Sequence, residues 1–324
     1  MQRLGLLGAG RIGQTHARAV AGVEGATITA VFDPVQGAAQ KAATLSGARI
    51  DSVDAIIGAD DIDAVLICTP TDLHSDQAER AARAGKAIFC EKPIDLDLAR
   101  ARTCVATVEA AGVPFMLGFN RRFDPTFAGL QQRLAAGEIG KPELIQITSR
   151  DPGPPPMEYI QRSGGLFRDM MIHDLDMARF LLGEELALVS ATGASLVDAE
   201  IGAAGDVDTA TATLRGENGA LVVITNSRRA TYGYDQRVEV HGETGMLMAN
   251  NPPADFVTHA GSDGYADAPL HDFFMTRYTQ AYTAEIEAFV RALNGEAVDC
   301  PTGRDGIAAL ALADECSKIA GLTV

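Results

Sequence analysis

The chain has 324 residues, 27 Lys and Arg against 43 Asp and Glu, and a formal charge of −16. At about 150 residues per domain this length implies two domains, and 47% hydrophobic with 22% charged residues excludes disorder, collagen and coiled coil. The acidic balance and the absence of Trp argue against DNA, RNA and anionic membrane partners, which demand a basic patch or an aromatic stacking platform.

The N-terminus, Met1-Gln2-Arg3-Leu4-Gly5, runs directly into a strand-like segment, so no signal peptide is read. No apolar run approaches the roughly 20 residues of a spanning helix. The five cysteines contain no CxxC pair, so a reduced, cytoplasmic protein without a disulfide framework or zinc knuckle is expected.

In chain order, strands are predicted at Leu4–Gly8, Thr27–Phe32, Ala64–Cys68, Ala87–Cys90 and Pro114–Phe119. They alternate with helices at Ile12–Val20, Pro34–Leu45, Leu73–Ala84 and Leu96–Ala111. Continuous apolar strands alternating with helices indicate a doubly wound parallel sheet covered on both faces. The rhythm changes near residue 120, which is taken as the domain boundary: 1–120, then 121–324. A helix (Pro125–Ala136), a strand (Leu144–Ser149), a Pro-rich loop and a helix (Phe167–Leu182) come next. Strands at Ala187–Gly193, Thr209–Leu214, Ala220–Asn226, Arg237–His241 and Gly245–Met248 then follow one another with hairpin-like turns, which indicates an antiparallel sheet. Helices at Asp272–Leu293 and Gly303–Ala320 close the chain.

Gly8-Ala9-Gly10-Arg11-Ile12-Gly13 fits G-x-G-x-x-G after a strand and opening a helix. Gly8 allows the tight turn, Gly10 lets a pyrophosphate approach the backbone, and Gly13 permits close helix packing. The helix N-terminus offers free N–H groups to the anion. Asp33, 20 residues on and at the end of the second strand, is placed to accept from a ribose 2′-hydroxyl. A carboxylate there repels a 2′-phosphate, so NAD is expected over NADP. The plainer reading of Asp33 is a turn residue before proline.

Later strand ends also face a ligand in such a sheet. They carry Thr69-Pro70 with His74, and Glu91-Lys92-Pro93. Lysine is scarce, with Lys41, Lys86, Lys92, Lys141 and Lys318 the whole set. Lys92 is therefore a candidate donor to a substrate oxygen, or alternatively a solvated partner of Glu91. In Gly164-Gly165-Leu166-Phe167-Arg168-Asp169-Met170-Met171-Ile172-His173-Asp174, Asp169 and His173 are i and i+4 on a helix and share one face. Histidine is the usual general base near neutrality; the plainer reading is an acidic helix start with a core histidine. No metal is expected, since zinc needs more ligands than these two and no HExxH occurs. Asp151, Tyr232 and Tyr278 are weaker candidates for substrate contact, each open to a packing role.

Taken together, the Gly8–Gly13 fingerprint, Thr69-Pro70 with His74, Glu91-Lys92-Pro93 and the Asp169/His173 helix resemble the Gfo/Idh/MocA oxidoreductases over nearly the whole chain. Ser149-Arg150-Asp151-Pro152, the Gly164–Asp174 run and Phe273-Phe274 with Arg277-Tyr278 resemble the members that oxidise inositol. The resemblance implies a Rossmann domain, then an α/β domain with a large, mostly antiparallel sheet, and a homotetramer assembled partly through that sheet. It implies a catalytic set of Lys92, Asp169 and His173, with Gly8, Gly10, Arg11, Ile12, Gly13, Asp33, Thr69, Pro70, His74, Glu91 and Lys92 about the cofactor. The expected reaction is NAD-dependent oxidation of a cyclic polyol, myo-inositol to its 2-ketone, in inositol catabolism. Another inositol isomer or an aldose, an NAD-assisted glycosidase and a non-catalytic NAD-binding regulator stay open.

Overall fold

The computed structural model describes residues 1–322. They form two compact units. The first comprises Met1–Phe123 and Thr279–Leu310; the second comprises Asp124–Tyr278 and residues 311–322. Among the described residues no helix is long and apolar enough to cross a membrane.

The first unit is built on a parallel sheet of β1 (Gln2–Leu7), β2 (Ala26–Phe32), β3 (Arg49–Ile50), β4 (Ala64–Ile67), β5 (Ala87–Glu91) and β6 (Phe115–Gly118). The order is β3–β2–β1–β4–β5–β6, with every pair parallel. Every residue of β4 and β5 is buried, which explains why both are apolar up to the closing Glu91 of β5. The two-residue β3 was not predicted, because two residues carry no readable period. The strand order reverses between β1 and β4, and ligands of such sheets bind outside the carboxyl ends at that point.

Local chemistry ends the covering helices where expected. Asp97 accepts from the N–H groups of Ala99 and Arg100 at the start of Leu98–Ala111, and left-handed Gly112 (φ 69°) closes it. The predicted Asp272–Leu293 helix is two helices, Phe274–Arg277 and Thr279–Leu293. Tyr278 between them leaves helical geometry at φ −108°, ψ 21°. Arg277, 7% exposed, is committed to the second unit through an ion pair with Asp124. Thr279–Leu293 belongs to the first unit, where Phe289 packs edge-on to Phe89 at 5.7 Å.

The Gly303–Ile319 helix begins with a reciprocal cap. Thr302 donates to Asp305 Oδ2 from its N–H (2.8 Å) and its hydroxyl (2.7 Å), and Asp305 N–H returns a bond to Thr302 Oγ1. Arg122 Nη2 donates to Asp305 Oδ1 at 3.0 Å. Burial pushes the Asp305 carboxyl up, but Arg122 and the Thr302 donors outweigh it and hold it at about 2. A depressed carboxylate stabilises the fold above its unfolded value, and that contribution is lost as pH falls toward the folded one. Asp305→Asn is therefore expected to cost about 2 kcal/mol at neutral pH and to lose little between about pH 4 and 2, where the wild type loses most. Urea unfolding at the two ends of that range measures it.

The second unit carries β7 (Pro142–Arg150), β8 (Leu186–Ala194), β9 (Thr209–Gly216), β10 (Leu221–Ser227), β11 (Asp235–Gly242) and β12 (Gly245–Ala249) in the order β12–β11–β7–β10–β9–β8. All pairs are antiparallel except β7–β10, so the sheet is mixed but mostly antiparallel. The β9–β10 turn is the predicted Glu217-Asn218-Gly219, with Gly219 at φ 90°. Val240, Ile145, Val222 and Leu214 stand side by side across four strands, each fully buried. The period-2 alternation turns Gln146, Val223 and Thr213 to the opposite, more exposed face.

Candidate active site

The glycine loop has the geometry its sequence implies. Gly8 adopts φ 92°, and a Cβ there would lie 2.5 Å from the Cys68 carbonyl oxygen. A Cβ on Gly13 would lie 2.1 Å from the Gly8 carbonyl oxygen, so only glycine lets the Arg11–Ala21 helix press onto the loop. Gly10 is exposed and a Cβ there meets nothing within 4 Å, which leaves its backbone open to a ligand. That helix has no side-chain cap and no acidic residue in its first turn, so Arg11 and Ile12 begin an uncapped N-terminus suited to an anion. Asp33 Oδ2 accepts from Ala9 N–H at 2.7 Å and Oδ1 from Val35 N–H at 2.8 Å. The carboxylate thus ties the end of β2 to the glycine loop. The residues present fit a dinucleotide.

Behind β4, the buried Thr69 hydroxyl donates to Gln77 Oε1 at 2.8 Å, and Pro70 is exposed. His74 is 2% exposed, with Nδ1 2.8 Å from the Pro93 carbonyl and Nε2 2.8 Å from the Thr69 carbonyl. His74 therefore clamps two strand ends together.

Lys92 follows β5 and is half-buried; its bond to Pro93 is cis. Glu91 accepts from the Lys92 main-chain N–H at 3.2 Å through Oε2, and its Oε1 lies 2.7 Å from Nε2 of the fully buried His16. Sequence reading assigned His16 nothing. Gly118 makes room for this carboxyl, since a Cβ there would stand 3.2 Å from it. Glu285, 0% exposed, lies on the Thr279–Leu293 helix; burial, reinforced by the charge of Glu91, pushes its carboxyl well up and favours the neutral form.

In the second unit the predicted Phe167–Leu182 helix opens with a wide π turn, Phe167–Met171, before α-helix runs from Ile172 to Leu182. Asp169 lies in the π turn and His173 in the α-helix, so their spacing is not that of one regular helix; such turns recur at functional sites. Asp169 Oδ1 accepts from the Tyr159 hydroxyl at 2.8 Å, and Oδ2 lies 3.4 Å from both terminal nitrogens of Arg228. His173 is half-buried. Its neighbour Asp174 is fully buried and accepts from Ser149 Oγ (2.6 Å) and Asn226 Nδ2 (2.7 Å), which pins the helix start to β7 and β10.

The weaker candidates separate. Asp151 follows β7 and donates its N–H to the Ser227 carbonyl at 2.9 Å. Tyr232 is exposed; its hydroxyl accepts from Arg150 Nη1 at 2.8 Å and donates to Asp235 Oδ2 at 2.7 Å. Tyr278 is 1% exposed, edge-on to Tyr234 at 5.9 Å, with the Arg277 guanidinium 4.7 Å over its ring. This is the packing role that the sequence left open for it.

Two family models cover most of the chain. One, an oxidoreductase family with an NAD-binding Rossmann fold, matches residues 2–119; the other, a GFO/IDH/MocA C-terminal domain, matches residues 127–248. The chain is 56% identical over 312 residues to an inositol 2-dehydrogenase of Rhizobium meliloti, covering 96% of this chain and 94% of that protein. It superposes on a myo-inositol dehydrogenase of Corynebacterium glutamicum with a TM-score of 0.95 at 42% identity, covering 99% and 97% of the two chains. A scyllo-inositol dehydrogenase of Lactobacillus casei, crystallised with NAD(H) and scyllo-inositol, superposes with a TM-score of 0.90 at 32% identity, over 98% and 96% of the chains. With a parallel sheet ending in the glycine loop, a mostly antiparallel second sheet and these matches along its length, the chain belongs to the Gfo/Idh/MocA family of NAD-binding oxidoreductases.

Proposed function

We propose that the protein oxidises a ring hydroxyl of a cyclic polyol, and that its substrate is myo-inositol, converted at C2 to the ketone. The observation that carries this reading is the near full-length likeness to the Rhizobium meliloti inositol 2-dehydrogenase. NAD supplies the two-electron acceptor that turns a secondary alcohol into a ketone. Gly8, Gly10, Arg11, Ile12 and Gly13 receive its pyrophosphate, Asp33 its ribose, and the strand ends at Thr69-Pro70 and Glu91-Lys92 flank it. His173 takes the hydroxyl proton. Lys92 donates to the reacting oxygen and stabilises alkoxide character. Asp169, held by Tyr159 and Arg228, accepts from substrate hydroxyls. Asp151 and Tyr232 are the further candidates for hydroxyl contact.

The test is NADH absorbance with the purified enzyme against myo-inositol, scyllo-inositol, aldoses and glycosides. Turnover with myo-inositol is expected to exceed that with every other compound. Faster turnover of scyllo-inositol, the ligand of the Lactobacillus casei structure, would move the assignment to that isomer. Glycoside cleavage without net NADH would replace the dehydrogenase reading altogether.

Cofactor choice has its own measurement. Asp33→Asn keeps an acceptor for the Ala9 N–H but loses the charge that repels a 2′-phosphate. It is expected to cut the NAD-over-NADP preference by roughly 10–100-fold, the worth of one charged hydrogen bond. An unchanged preference would end the ribose assignment.

Assembly as a homotetramer belongs to the same proposal. The outer face of the second sheet carries Leu144, Val223, Leu221, Met246 and Met248, and Met248 is 55% exposed. A threonine row (Thr192, Thr211, Thr225, Thr148) crosses four of its strands. Such a face suits a second copy of the chain. Light scattering of the wild type should give four chains, and Val223→Lys should lower that number.

A further inference from the structure

His16 lies in the Arg11–Ala21 helix and is 0% exposed. Its ring is edge-on to Phe89 at 4.9 Å and to Tyr282 at 5.4 Å. Nε2 stands 2.7 Å from Glu91 Oε1, and with a carboxylate as acceptor it is the donor. The other oxygen, Oε2, accepts from the Lys92 main-chain N–H at 3.2 Å. Gly118, paired with Glu91 across β5 and β6, leaves the carboxyl room, because a Cβ there would stand 3.2 Å from it. One carboxyl group therefore joins the helix that opens at the glycine loop to the residue that leaves β5.

The neighbouring contact of Phe89 with Phe289 is ring on ring at 5.7 Å, so packing here does not demand a polar pair. Burying one is costly unless its bonds are made. What the pair adds is a fixed place for the chain just past the sheet. Pairing of β5 ends at Cys90 on the β4 side and at Glu91 on the β6 side. Beyond that point side chains hold the main chain. The Pro93 carbonyl accepts from His74 Nδ1 at 2.8 Å, and the Ile94 carbonyl from Ser75 Oγ at 3.1 Å. The Glu91 carboxyl holds the N–H side of Lys92, and His16 holds that carboxyl. The helix itself has other anchors: Gly13 packs on the Gly8 carbonyl, and Gln14 Nε2 donates to the Ala9 and Ala38 carbonyls at 3.0 and 2.9 Å.

We propose that His16 is a positioning residue for the reaction: through Glu91 it fixes the main chain at Lys92, and with it the place from which the ammonium group reaches the substrate oxygen. The activity arm of this inference rests on the polyol reading and its use of Lys92; the structural arm does not.

The experiment compares His16→Phe, His16→Gln and His16→Phe with Glu91→Met. Phenylalanine keeps a ring and loses the donor, whereas glutamine carries an amide N–H to about the place of Nε2. The phenylalanine variant should lose about tenfold in kcat, the upper worth of one hydrogen bond, and keep KM for NAD within about a factor of two. Glutamine should recover most of that loss. In parallel, 15N-lysine labelling gives one amide signal for each of the five lysines, and Lys92→Met identifies that of Lys92. Without any substrate, this signal should move in the phenylalanine variant and return toward its wild-type position with glutamine. An unmoved signal in folded His16→Phe would overturn the proposal, whichever polyol is turned over. A moved signal with wild-type kcat overturns it as well, and so does an equal loss of kcat with phenylalanine and glutamine, which marks a packing role. His16→Phe alone strands the buried Glu91 carboxyl and can unfold the chain. The double variant then decides, because replacing both partners by apolar groups is nearly neutral for stability. Its kcat should fall by about tenfold and its Lys92 signal should move, and wild-type values there overturn the proposal. A wild type inactive on every polyol, with the Lys92 signal moved by phenylalanine and restored by glutamine, would sink the substrate reading and leave the His16–Glu91 link standing.

Discussion

His173→Asn should lower kcat by about 10²–10⁴, the usual worth of a positioned general base, while leaving KM for NAD within about a factor of two. The helix start around His173 is fixed by groups other than the imidazole. Asp174 next to it is locked by Ser149 and Asn226, and Leu175 and Asp176 are buried. Substituting the half-buried His173 leaves these anchors in place, and on the proposed general-base reading the loss should fall on kcat. That loss corresponds to about 3–5 kcal/mol of transition-state stabilisation. Lys92→Met makes a useful contrast. On the proposed reading it removes a donor to the reacting oxygen, so kcat should fall as well, but no proton acceptor has gone and the pH dependence of the residual rate should keep the histidine limb. If His173→Asn retained wild-type turnover, the proton would have to leave by another group, and Asp169 would be the next candidate.

How far the sequence carried this picture depends on the range of each interaction. The runs at Ala64 to Ile67 and Ala87 to Cys90 are legible because a strand buried on both faces is apolar along its length, with Glu91 the one polar residue at the end of the second. Gly8, Gly10 and Gly13 are legible because their spacing between a strand and a helix is a recognisable pattern, although the contact that demands Gly8 comes from Cys68, 60 residues on. The π turn is not legible, since Phe167 to Met171 has the same residue pattern in either helical form, and residues that bond to it, Asp206 and Arg228, lie far along the chain. Arg228 lies 59 residues from Asp169, and nothing near it marks an arginine as buried. The return of Thr279–Leu310 to the first unit is equally silent. An amphipathic helix states that it has a covered face and not what covers it. Tyr278 shows the same limit, because a tyrosine in a polar-looking segment gives no sign that its ring is 1% exposed.

Gly13→Ala and Gly10→Ala should part company in a way that tests the cofactor cradle directly. At Gly13 the added carbon would lie 2.1 Å from the Gly8 carbonyl oxygen and 2.9 Å from the carbonyl carbon, and both are backbone. No side-chain rotation relieves that contact, so the Arg11–Ala21 helix must lift from the loop. Overpacking of this kind costs about 1–3 kcal/mol or more. It should lower the melting temperature of the cofactor-free enzyme and weaken NAD binding together. At Gly10 the added carbon meets no protein atom within 4 Å, so the cofactor-free enzyme should melt as the wild type does. Its NAD affinity should still fall by about 10–100-fold, because the methyl occupies the space through which a pyrophosphate reaches the helix end. Calorimetric melting without cofactor and fluorescence titration with NADH separate the two substitutions. Wild-type NADH affinity in Gly10→Ala would show that the pyrophosphate lies elsewhere. A wild-type melting temperature in Gly13→Ala would show that the helix can yield where the backbone contact says it cannot.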